Sequence, residues 1–91
     1  MEIADLAPGQ GRTGTVGKRQ VAIYNDGGTL IVMENLCTHM GCQTEWNAAA
    51  ATWDCPCHGS RYHADGTVLV GPAPAPLRRI EFSVVDGRLQ V

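Results

Sequence analysis

The spacing of apolar positions along the chain is that of a β protein. Residues 20–24 and 29–33 form two β-rich runs, separated by Asn25-Asp26-Gly27-Gly28. Asn, Asp and Gly tolerate the positive φ of tight turns, so this segment predicts a hairpin. Near the C-terminus Ile80, Phe82 and Val84 alternate with polar neighbours, and Asp86-Gly87 turns the chain into residues 89–91. Gly9, Gly11, Gly14 and Gly17 divide the N-terminal segment into short strands and turns. The only helical signal is Asn47 with the four alanines after it, which is too short for an isolated helix and reads as a single turn. In residues 71–76, GPAPAP, the three prolines lack the N–H of regular structure and fix φ, which predicts a stiff extended loop. With no repeat and no linker, the expectation is one small antiparallel β domain over residues 1–91.

Composition sharpens this picture. A chain of 91 residues buries about two-thirds of its unfolded surface, and this one has a single Phe, two Trp and two Tyr to fill a core. A metal or covalent staple is therefore plausible on stability grounds alone. The formal net charge is -2 and the charges are scattered, which argues against a nucleic-acid footprint or a polybasic membrane patch. No apolar run approaches the roughly 18 residues of a membrane span, and the acidic N-terminus does not read as a signal peptide. No direct membrane insertion by this segment is expected.

All four cysteines and two of the three histidines lie in CTHMGC, residues 37–42, and CPCHGS, residues 55–60. Six donors exceed the four of an ordinary metal site. Three arrangements compete: a tetrahedral zinc site with two spare thiols, two disulfides with incidental histidines, or a mixed site. In the mixed site one Cys and one His from each stretch bind metal, and the two remaining cysteines join. This last arrangement accounts for every donor and matches a [2Fe–2S] centre in which two histidines replace two cysteines on one iron.

At this point the chain resembles the Rieske family, through CTHMGC, the 12-residue spacer, CPCHGS, Tyr62 and the GPAPAP loop. The resemblance implies layered antiparallel sheets with a small cluster-binding subdomain at approximately 36–76, and one [2Fe–2S] cluster per chain. It implies that Cys37 and Cys55 hold one iron, that His39 and His58 hold the other, and that Cys42 and Cys57 form a disulfide. That pair is typical of the high-potential branch, as are Ser60 and Tyr62, whose hydroxyls are expected to bond a bridging sulfide and a ligand cysteine sulfur. The proline loop is expected to shield the far side of the cluster. A longer stretch, from Trp46 to Leu77, is similar to the C-terminal Rieske domain of bacterial FAD-dependent oxidoreductases. That similarity implies an electron-transfer module with no catalytic site of its own, a flavin-containing redox partner and a cytoplasmic setting.

The imidazoles of His39 and His58 would then serve as ligands and as the electron's port. Gly41 and Gly59 suit turns that bring backbone N–H groups near sulfur. Met40 is expected near the cluster's surface as an apolar contact for a partner. Trp46 and Trp53 are expected to pack beneath the two ligand stretches, His63 to face solvent, and Arg61, Arg78 and Arg79 to be solvated charges. A structural zinc module, or a Rieske domain used for redox sensing or docking, is the alternative.

Overall fold

The computed structural model describes residues 1–38 and 41–91. Among them are nine strands and no helix: β1 (Gly11–Val16), β2 (Arg19–Asp26), β3 (Thr29–Glu34), β4 (Glu45–Asn47), β5 (Thr52–Asp54), β6 (Arg61–His63), β7 (Val68–Val70), β8 (Ser83–Val85) and β9 (Arg88–Gln90). They form three antiparallel sheets, ordered β1-β2-β3, β4-β5-β6-β7 and β8-β9. The predicted hairpin is β2–β3. Towards the turn β2 runs two residues further than the apolar pattern, because Asp26 pairs with Thr29 and leaves only Gly27-Gly28 as the turn. The alanine segment is a turn between β4 and β5, as expected.

Strands β2 and β3 of the first sheet are buried on both faces, their side chains alternating between two cores. Ala22, Ile31 and Met33 face one core, together with Cys37, Trp53, Cys55, Tyr62, Ala73 and Leu77. Val21, Ile23 and Val32 face a second core with Ile3, Leu6, Ile80 and Leu89. The first core joins the central sheet to the four-stranded sheet. The second joins it to β8–β9, beside which Glu2 bridges to Arg88.

The C-terminal alternation is only partly realised. Ile80 is buried and precedes β8, with its N–H donating to Val32 O at 2.9 Å. Phe82 and Val84 are 40% and 44% exposed, although Val84 pairs directly with buried Leu89. The reason is position in the pair. The second core reaches Leu89 on β9, which Glu2 flanks on its other side, whereas β8 is the outer strand and Val84 lies outside that core.

The aromatic residues set how the four-stranded sheet sits. Trp46 and Trp53 are directly paired across β4 and β5, and Trp53 pairs with Tyr62 across β5 and β6. The Trp46 and Trp53 ring centroids are 4.6 Å apart, and Tyr24 of β2 lies 5.5 Å from Trp46. Trp53 is fully buried and donates from Nε1 to Ala64 O at 3.0 Å. Trp46 lies so close to β1 that a Cβ on Gly11 would fall inside its indole. Gly11→Ala is therefore expected to lower stability by about 1–3 kcal/mol through forced displacement of Trp46. Thermal melting would show this as a reduced midpoint. An unchanged midpoint would mean that Trp46 moves aside without cost.

Candidate metal centre

The two cysteine-rich stretches fold back on themselves through the same pair of bonds. In the first, Cys37 N–H donates to Cys42 O at 2.6 Å and Gly41 N–H to Cys37 O at 2.8 Å. In the second, Cys55 N–H donates to Ser60 O at 2.8 Å and Gly59 N–H to Cys55 O at 3.2 Å. Gly41 and Gly59 adopt φ of 73° and 77°, a left-handed conformation that any Cβ disfavours. Each stretch thus presents its first cysteine from an equivalent turn.

Cys37 and Cys55 are each 3% exposed, and neither belongs to a disulfide. Burial pushes the Cys55 thiol pKa up and neighbouring Cys37 adds to the rise, while the backbone N–H groups of Cys57 and His58 act against it. Cys42 and Cys57 form a disulfide that joins the two stretches, with Cα atoms 6.5 Å apart. The sulfurs of Cys42, Cys55 and Cys57 lie within 4.8 Å of one another. A disulfide sulfur has no thiolate to give a metal. This sulfur-rich corner therefore offers a metal two thiols rather than four.

Hydroxyls and the proline loop close the site. Tyr62 is fully buried on β6 and donates from its hydroxyl to Cys37 Sγ at 3.2 Å. The same oxygen accepts the Thr38 N–H at 3.0 Å and lies 3.2 Å from Thr38 Oγ1. Burial pushes the Tyr62 pKa up and Cys37 adds to it, so the hydroxyl remains a donor. Ser60, also fully buried, accepts the Ala73 N–H at 3.0 Å, and Thr38 Oγ1 donates to Ala75 O at 2.5 Å. The loop at 71–76 is thereby bonded once to each cysteine-rich stretch. Thr38, which sequence reasoning passed over, joins Tyr62, the loop and the first stretch.

His58 is exposed beside the disulfide cysteine Cys57. His39 and Met40 lie outside the described residues. His63 is exposed on β6, as its reading required. Arg61 is not simply solvated: it is half-buried, with Nε 3.1 Å from Asp54 Oδ1. Burial would raise the Asp54 pKa, but hydrogen bonds from Asn47, Thr52 and Arg61 hold it below the usual value. Arg78 is exposed, and Arg79 donates to Asp65 O at 3.3 Å.

Two buried thiols side by side, with an O–H directed at one sulfur and backbone N–H groups at the other, fit an iron–sulfur cluster. The model of the Rieske [2Fe-2S] domain family matches residues 1–81. The chain belongs to the Rieske family. It holds one [2Fe–2S] cluster, and its disulfide places it with the disulfide-containing, high-potential branch. A Rieske iron–sulfur protein of Bacillus subtilis, YhfW, is 44% identical over 83 residues, covering 90% of this chain and 16% of that protein. The cytochrome b6-f complex iron–sulfur subunit of Chlorobaculum tepidum is 36% identical, over 97% of this chain and 49% of the subunit. The chain thus spans about a sixth of the first relative and about half of the second. The plasma membrane Rieske protein PetC3 of Synechocystis superposes with a TM-score of 0.71 at 33% identity, covering 85% of this chain and 80% of PetC3. Among the described residues no helix is long and apolar enough to cross a membrane.

Hydrogen bonds to sulfur favour the reduced, more negative Rieske cluster. Tyr62→Phe should therefore keep the cluster and lower its reduction potential. If reduction strengthens the bond to Cys37 by about 1.4 kcal/mol, the loss is roughly 60 mV for this one-electron couple. Voltammetry would check it. An intact cluster at the wild-type potential would show that the hydroxyl is indifferent to the cluster's charge.

Proposed function

We propose that this domain passes single electrons between a flavin-containing redox partner and a further acceptor, as a module of a larger oxidoreductase. One-electron transfer through a Rieske cluster is the part carried by family membership. The observation that supports a cluster with mixed ligands is the division of the four cysteines into one disulfide and two buried thiols. In this reading Cys37 and Cys55 hold one iron, and His39 and His58 hold the other.

When bound, the cluster supplies a reversible one-electron couple near neutral charge, since two thiolates balance the +2 of two ferric ions and two sulfides. The chain's own groups set its working conditions. Tyr62 donates to the Cys37 sulfur, and the Ala73 N–H bond to Ser60 Oγ leaves the serine hydrogen to donate toward the cluster. The 71–76 loop, bonded to both stretches, keeps water from the buried side. His58 is exposed, which suits an imidazole that serves as the exit for the electron.

The flavin partner is supported by the resemblance of residues 46–77 to Rieske domains of FAD-dependent oxidoreductases, and a cytoplasmic setting belongs to the same reading. The length of the B. subtilis relative supports a module carried on a longer polypeptide. A second reading, an iron–sulfur subunit of a cytochrome b6-f type of complex, is favoured by the identity to such subunits and by the disulfide. A zinc module is disfavoured by the match of residues 1–81 to the Rieske [2Fe-2S] domain family, since the two thiols and two histidines that the disulfide leaves would also suit tetrahedral zinc.

Replacing Cys37, His39, Cys55 or His58 should abolish the cluster signal, whereas Cys42→Ser or Cys57→Ser should leave a cluster that is retained less well. Iron and sulfide analysis with EPR would decide. Equal loss in both groups would make the disulfide cysteines ligands. The partner is tested by purifying the polypeptide that carries these residues from its own cells. Flavin in stoichiometric proportion to the cluster is expected. A flavin-free protein that purifies with a b-type cytochrome would overturn the flavin reading in favour of the second.

A further inference from the structure

The two ligand stretches are closed alike but founded differently. The second stands on a true hairpin: Asp54 pairs with Arg61 across β5 and β6, and the Cys55–Ser60 bond is the next step outward. The first has no such stem, because β3 belongs to the central sheet and β4 to the four-stranded sheet. The backbone N–H of Asn35, which could have begun one, donates to Gln20 O of β2 at 2.9 Å.

The Asn35 side chain occupies the missing place. Its Oδ1 accepts the Thr44 N–H at 2.9 Å and the Thr44 hydroxyl at 2.6 Å, and its Nδ2 donates to Thr44 O at 3.3 Å. A primary amide offers the same donor and acceptor as a peptide group, so the pair reproduces an antiparallel rung. Asn35 and Thr44 stand two positions outside Cys37 and Cys42, whose own N–H to O bond is the next rung. Both residues are 2% exposed, so water cannot replace either partner if the other is lost.

We propose that Asn35 is a positioning residue for the cluster, its side-chain amide acting as a substitute strand rung beneath the first ligand stretch. The rung holds Cys37 where the Tyr62 hydroxyl meets its sulfur, as strands β5 and β6 hold Cys55. This rests on the reading of Cys37 as a ligand.

The test compares the cluster-loaded wild type with Asn35→Ala, Thr44→Val and Cys37→Ser. Asn35→Ala removes the rung and should speed cluster loss to a chelator by about tenfold. It should also change the EPR line shape of the reduced cluster and speed deuterium uptake over residues 43–47. Thr44→Val loses the hydroxyl bond but keeps both backbone bonds, so it should stay within about twofold of wild type. Wild-type behaviour of Asn35→Ala, or equal effects of the two variants, would overturn the proposal. A full cluster in Cys37→Ser would overturn the ligand assignment beneath it, which is a separate outcome. If Asn35→Ala does not accumulate folded, exchange in the wild type decides. Exchange of the Thr44 amide as slow as that of the paired amides of β5 supports the rung, and exchange at the rate of an open loop overturns it.

Discussion

Two buried thiols held against one another are what the rest of this structure has to accommodate. Burial alone raises a thiol's pKa and so works against the thiolate that a metal requires. Each sulfur here is met by donors that favour the charged form: the Tyr62 hydroxyl at Cys37, and the N–H groups of Cys57 and His58 at Cys55. Those donors act only at hydrogen-bonding distance, so the two stretches must be held tightly. The disulfide, the two bonds to the proline loop and the Asn35–Thr44 pair all connect segments that strand pairing does not join.

The central sheet makes this possible by being a shared floor. Cys37, Cys55, Trp53 and Tyr62 pack in one core with Ala22, Ile31 and Met33 of that sheet, so the ligand region is continuous with the hydrophobic interior. The second core lies on the opposite face.

Much of this was legible in the sequence, for identifiable reasons. The β2–β3 hairpin follows from local turn chemistry, and the cluster from six donors at fixed spacing. Exposure of Phe82 and Val84 was not legible, because alternation says which side chains share a face but not whether another sheet covers it. The Arg61–Asp54 pair was missed because the two residues meet only after β5 and β6 pair. Asn35 had a faint signal, an Asn and a Thr placed symmetrically outside Cys37 and Cys42. Its meaning depends on the Asn35 backbone being engaged by Gln20, which no local pattern shows. The flavin-enzyme resemblance and the matches to cytochrome b6-f subunits describe different settings for one domain. The sequence of this domain records its cofactor far more fully than its partners.

In the proposed site two thiolates and two imidazoles share the cluster, with both imidazoles on one iron. Pulsed EPR of the reduced protein grown with nitrogen-15 histidine reads this directly. Two strongly coupled histidine nitrogens are expected, both of them lost as a pair from the native pattern when either His39 or His58 is replaced. A reduced cluster with no histidine coupling, or with nitrogens from His63, would contradict it.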